Sequence, residues 1–135
     1  MLRSFLAVGI GGILGAICRY SLSLAVPNTE VFPFTTLFIN LLGCFCLAWL
    51  FTSFIKRTPI ILGIGTGFCG AFTTFSTFSL ETLLLLENSE WLQAVLYVTV
   101  SVLGGLACTW LGIRLARGAY CMMLVGIGGF FGRSF

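Results

Sequence analysis

Apolar residues run along this chain in four long blocks, and polar residues cluster in the gaps between them. The first block extends from about Ser4 to Val26 and is broken by Arg19. The others extend from about Phe34 to Ile55, from about Ile60 to Leu86 and from about Trp91 to Leu115. Each is close to the roughly 20 apolar residues a helix needs to cross the hydrocarbon of a bilayer. The gaps carry turn and stop signals: Pro27-Asn28-Thr29-Glu30, Lys56-Arg57-Thr58-Pro59 and Glu87-Asn88-Ser89-Glu90. Arg114 and Arg117 end the last block. The pattern predicts an all-α integral membrane protein of four transmembrane helices joined by short loops. Such loops leave no room for a soluble domain, so the function lies within the membrane.

Composition sharpens this picture. The 135 residues are 59% hydrophobic and 8% charged, where a soluble domain carries about 25% charge. The net charge of +3 comes from scattered Lys and Arg, mostly flanking the blocks, which is not a nucleic-acid pattern. Histidine is absent, which removes the commonest metal ligand and the usual near-neutral proton shuttle. The chain is read as a non-enzyme. Cys18, Cys44, Cys46, Cys69, Cys108 and Cys121 form no CxxC pair, and most sit inside apolar blocks as small hydrophobes. The first block, with Arg3 ahead of it and Ser23-Leu24-Ala25 near its end, has the outline of a signal peptide. Comparable blocks follow it, so it reads more simply as one span of four.

Small residues mark expected helix contacts. Gly11 and Gly15 lie four apart in the first span, and Gly63 and Gly67 in the third. Such pairs let backbones approach closely in lipid. After Arg117 comes an apolar tail, residues 118–135. Within it, Leu124-Val125-Gly126-Ile127-Gly128-Gly129-Phe130-Phe131-Gly132 echoes Ala7-Val8-Gly9-Ile10-Gly11-Gly12-Ile13-Leu14-Gly15. The echo stops after about ten apolar residues, too few to cross a bilayer.

The third span is the informative one. Gly67-Phe68-Cys69-Gly70-Ala71-Phe72-Thr73-Thr74-Phe75-Ser76-Thr77-Phe78-Ser79 mixes glycines, β-branched residues and hydroxyls, all of which weaken a helix. A break is expected here, and irregular backbone at membrane depth survives only inside protein or along a wet cavity. Freed carbonyls near Gly70 and Thr73 would be ready ligands for a desolvated cation. Phe75 and Phe78, three apart, share a helix face just after the break. The positive edges of their rings suit an anion without the tight grip of a full charge. Thr36 and Asn40 are four apart in span two, as are Tyr97 and Ser101 in span four, and Asn40 offers amide donors. Glu81 is a costly carboxylate at membrane depth, which points to function. Its alternative is to reach the interface near Glu87 and Glu90, as Arg19 can snorkel from span one.

These strings resemble the Fluc (CrcB) family of fluoride channels over about residues 5 to 117. The resemblance rests on Gly-Gly-x-x-Gly-Ala-x-x-Arg-Tyr from Gly11 to Tyr20, on Thr36-Leu37-Phe38-Ile39-Asn40-Leu41-Leu42-Gly43, and above all on Gly67-Phe68-Cys69-Gly70 with Thr73-Thr74-Phe75-Ser76-Thr77-Phe78-Ser79. It implies an antiparallel dimer of four-helix subunits with two fluoride pores. It implies a structural, untransported sodium ion held by the carbonyls of Gly70 and Thr73 from each subunit. It places Phe75, Phe78 and Asn40 at the pore, with Thr36, Ser79, Glu81, Tyr97 and Ser101 along a polar track. One turn beyond Ser101, where family members can carry another hydroxyl, this chain has Gly105. The tail has no counterpart in the family.

The role so implied is passive export of fluoride from the cytoplasm across the cell membrane. The competing reading is a small four-helix, proton-coupled multidrug exporter. That mechanism needs a membrane-embedded acid at the substrate site, and span one has none. Arg3, Lys56, Arg57, Arg114 and Arg117 fall on the side shared by the two termini and the second loop, while Arg19 leans to the other. The positive-inside rule then puts both termini in the cytoplasm. An antiparallel dimer can form from one chain inserted both ways or from two related chains each inserted one way.

Overall fold

The computed structural model describes residues 1–25 and 32–131, residues 120–131 by their backbone alone. Its elements in chain order are α1 (Leu2–Ala25), α2 (Phe34–Ser53), α3 (Pro59–Leu62), a π-helical stretch (Gly63–Cys69), α4 (Gly70–Phe72), α5 (Phe75–Glu87) and α6 (Trp91–Phe131). Four segments are long and apolar enough to span a membrane: Leu2–Ala25, Phe34–Ser53, Pro59–Glu87 and Trp91–Ala119. The third is interrupted, as expected, by extended backbone at Thr73 and Thr74.

Local chemistry explains the ends. Thr58 caps α3, its hydroxyl accepting from the Ile61 N–H at 3.4 Å, and Pro59 follows at the first helical position. Between α5 and α6, Ser89 takes a positive φ of 61°, and Glu90 N–H closes onto the Leu85 carbonyl at 2.8 Å. One difference from the sequence pattern is that α6 does not stop at Arg114 and Arg117. Arg, Leu, Ala and Met are strong helix formers and no proline intervenes, so the backbone stays helical to Phe131. The expected turn at Pro27–Glu30 and the end of the tail's echo at Gly132 lie outside the described residues.

The two glycine pairs meet each other. A Cβ on Gly11 would strike the Gly63 carbonyl, and one on Gly15 would strike Phe68 backbone. In return, a Cβ on Gly63 would lie 2.8 Å from the Ala7 carbonyl oxygen, and one on Gly67 would strike that of Val8. α1 therefore lies backbone to backbone on the π-helical stretch, while α2 packs along α6. Outside these contacts the surface is apolar: Phe5, Ile10, Ile13, Ile17, Leu103 and Leu106 are all exposed. Lipid can solvate such a surface and water cannot. Trp91 and Trp110, both exposed on α6, stand about 28 Å apart at 1.5 Å per residue. That matches the roughly 30 Å hydrocarbon layer, at whose edges tryptophan collects. The Arg114 guanidinium stacks 5.0 Å from the Trp110 ring, and that of Arg57 3.7 Å from Phe51.

Candidate functional site

The site grows from the interruption in the third span. In an uninterrupted helix the Thr74 N–H would bond the Gly70 carbonyl, and the Thr77 N–H would bond that of Thr73. Here the Thr74 N–H donates to Asn40 Oδ1 at 2.8 Å. The Thr77 N–H donates to Thr74 Oγ1 at 3.1 Å, which makes Thr74 the cap of α5. The carbonyls of Gly70 and Thr73 are therefore among those that lose their helical donors at the interruption. Asn40 Nδ2 also donates to the Thr74 carbonyl at 3.0 Å, so the amide clamps both polar groups of that residue. This uses one of the two Nδ2 hydrogens and leaves the other. The Thr73 hydroxyl bonds back to the Cys69 carbonyl at 3.0 Å, and its methyl occupies the place where Gly43 has no side chain.

Two cavities flank Thr74. One, of about 360 Å³, is lined by Asn40, Cys44, Thr74, Phe75, Phe78 and Ser101, among others. The Phe75 and Phe78 rings lie 5.9 Å apart along it. Phe75 is 80% exposed and a Cβ on Gly70 would meet nothing within 4 Å, so this side of the single chain is open. The other cavity, of about 320 Å³, is more polar, with Arg19, Thr36, Thr74, Ser76, Thr77 and Glu81 in its wall. Arg19 is half-buried there.

The residues of the expected polar track separate into groups. Thr36, Glu81 and Tyr97 come together: Thr36 Oγ1 donates to one Glu81 oxygen at 2.7 Å and the Tyr97 hydroxyl to the other at 2.8 Å. Glu81 thus faces inward, and Tyr97 is fully buried. The Phe78 ring lies 5.1 Å from that of Tyr97, which joins the aromatic pair to the carboxylate. Ser79 stands apart, exposed, its hydroxyl returned to the Phe75 carbonyl at 2.9 Å. The Ser101 hydroxyl oxygen is buried in the first cavity without a hydrogen-bond partner. Sequence reasoning passed over Thr74 as the residue that Asn40 clamps. A hydroxyl three residues before Thr77 is a readable cap signal, but its partner on another span is not.

The family model described as CrcB-like protein, Camphor Resistance (CrcB), matches residues 6–113. The chain belongs to the CrcB-like family. A curated relative from Bacillus cereus, Fluoride-specific ion channel FluC 1, is 54% identical over 117 residues, covering 82% of this CrcB-like chain and 85% of its own length. Fluoride-specific ion channel FluC 2 of Listeria monocytogenes is 47% identical over 117 residues, covering 84% and 90%. That of Listeria innocua is 46% identical over 125 residues, covering 86% and 96%. Among the described residues of this CrcB-like chain, no group of three or more His, Cys, Asp or Glu is placed to hold a metal. Carbonyl oxygens of the kind freed at the interruption are the ligand type that hard cations take.

Proposed function

We propose that the chain conducts fluoride passively across the cell membrane and so relieves the cytoplasm of it. The observation that carries this reading is the diversion of two backbone N–H groups, by Asn40 and Thr74, beside a groove walled by phenylalanine rings. Relatives named as fluoride-specific ion channels, at 54% and 47% identity over most of their length, supply the anion. Fluoride is small and strongly hydrated, so a path must replace its water with weak donors. The free Asn40 N–H, the Ser101 hydroxyl and the positive edges of Phe75 and Phe78 are such donors. None is a full positive charge that would hold the ion too long.

In this reading the carbonyls of Gly70 and Thr73 hold a structural sodium ion together with the same two groups of an antiparallel partner. When bound, the ion lends positive potential to anions nearby. The open space around Gly70 and the exposed Phe75 ring support a partner on this face. Thr36, Glu81 and Tyr97 brace the far end of the aromatic row. Fluoride enters cells as the neutral acid, ionises, and leaves through the channel, with both termini of this chain on the cytoplasmic side. No observation favours a proton-coupled exporter: both oxygens of Glu81 are engaged by neutral donors, and the relatives carry channel names.

The test is fluoride efflux from liposomes loaded with potassium fluoride, with valinomycin to carry potassium and no pH gradient. Flux under these conditions is expected. Its absence, or strict dependence on a pH gradient, overturns the reading. Expressing the chain alone with a side-reporting C-terminal tag decides the pairing. Both orientations with full flux mean a homodimer, while one orientation without flux means a related partner chain.

A further inference from the structure

Two cavities meet at Ile60, on the end of the molecule that carries Arg3, Lys56 and Arg57. One, of about 430 Å³, is a groove between α1 and the third span, walled by Ile10, Leu14, Ile60 and Ile64 and floored by Gly11 and Gly63. No polar side chain lines it, and those four wall residues are all exposed. The other, of about 500 Å³, is lined by the second loop, Lys56 and Thr58 included. Arg3 falls at i, i+4, i+7 and i+11 with Ala7, Ile10 and Leu14, so it stands on the groove face of α1, one turn nearer the start of the chain. Arg3 and Lys56 are both exposed, and among the described residues neither side chain is paired with a carboxylate. Arg57, by contrast, is laid over the Phe51 ring.

We propose that this groove seats one anionic phospholipid, its phosphate between Arg3 and Lys56 and one acyl chain running along the groove past Ile60. The charge pattern carries the choice of occupant. An apolar groove alone selects nothing, because lipid tails solvate any apolar face. Two unpaired cations at its mouth select an anionic headgroup, and basic pockets between helices on the cytoplasmic side are where such headgroups collect. The positive-inside rule puts this end of the chain there. The face assigned to a partner, around Gly70 and Phe75, does not line the groove. A seated chain does more than coat the surface. Phe68 also lines the groove, and its ring stacks 5.7 Å from that of Phe72, which is buried just before the interruption. The lipid thereby braces α1 against the half of the third span that leads into the break.

The experiment is native mass spectrometry of the full chain in detergent, titrated with phosphatidylglycerol or with phosphatidylcholine of the same acyl chains. Phosphatidylglycerol should be retained the more strongly. Removing both cations, Arg3→Gln with Lys56→Gln, should weaken its retention about thirtyfold, from about fivefold for each cation near a headgroup. Arg114→Gln with Arg117→Gln takes as much charge from the same end and should leave retention unchanged. Ile10→Trp fills the groove from an exposed position and should displace the lipid. Glycerophosphoglycerol, the headgroup without its chains, should not compete. A benzophenone side chain placed at Ile10 should cross-link to lipid in vesicles. Equal retention of the two lipids overturns the proposal, as does an equal loss from the two pairs of Gln variants. So does full retention by Ile10→Trp, competition by the bare headgroup, or a benzophenone product that joins two copies of the chain.

Discussion

Asn40→Ala tests whether one amide holds the third span open. The substitution removes two hydrogen bonds to Thr74, at 2.8 and 3.0 Å. Side-chain hydrogen bonds inside membranes average about 0.6 kcal/mol each, so their direct loss costs about 1 kcal/mol. The groups left without partners cost more. A Thr74 carbonyl stripped of its donor in a buried place costs a further 1–3 kcal/mol or so. The Thr74 N–H adds little, because it can turn back to the Gly70 carbonyl and restore a helical bond. The expected loss is then about 2–4 kcal/mol. That same repair consumes one of the two carbonyls assigned to sodium, so efflux should fall much further than stability alone would dictate. Asn40→Asp separates the effects: it keeps an acceptor for the Thr74 N–H but adds a negative charge to the groove. It should unfold later than the alanine variant and conduct no better. Denaturant unfolding in detergent and liposome efflux measure the two sides. An Asn40→Ala chain within about 0.5 kcal/mol of wild type, the range of an inert surface change, and with normal efflux would refute the reasoning.

Phe75→Ile and Phe78→Ile keep apolar bulk and lose the ring edge, so each should cut efflux sharply while the oligomer on size exclusion is unchanged; near-normal efflux in both would remove the rings from the path. Thr73→Ser keeps the hydroxyl that bonds the Cys69 carbonyl and should be tolerated. Gly70→Leu has room within one chain, so it should fold yet lose the dimer and the stabilisation by sodium in a thermal melt. A dimer as sodium-sensitive as wild type would contradict that. Gly11→Val drives a side chain into the Gly63 backbone and should cost about 3 kcal/mol or more, like other severe overpacking; a wild-type melt would deny the close α1 contact.

The four spans were legible because hydropathy is a local property summed over about 20 residues. The break was legible for a related reason: Gly70, Thr73 and Thr74 weaken a helix wherever they stand. The glycine pairs on spans one and three stood out as contact candidates, but could not be matched to each other. The π-helical stretch at Gly63–Cys69 gave no advance sign. It depends on how closely α1 presses on Gly63 and Gly67, and a single segment cannot state that.

What the sequence determined by itself, then, is the set of parts: four apolar helices, a weak point in the third, two phenylalanines after it and a few costly polar groups at depth. Each follows from the cost of putting a given residue in lipid or in a helix, and that cost is local. The tertiary structure decided how the polar groups are used. Asn40 clamps Thr74, so the carbonyls of Gly70 and Thr73 are among those left over. Glu81 turns inward because Thr36 and Tyr97 arrive from two other spans with hydroxyls at hydrogen-bond distance. Arg19 enters a cavity because α2 and α5 build polar walls around it. A buried polar group in a membrane must find a partner, and which partner it finds depends on the helix faces that meet, information spread over residues 45 positions apart.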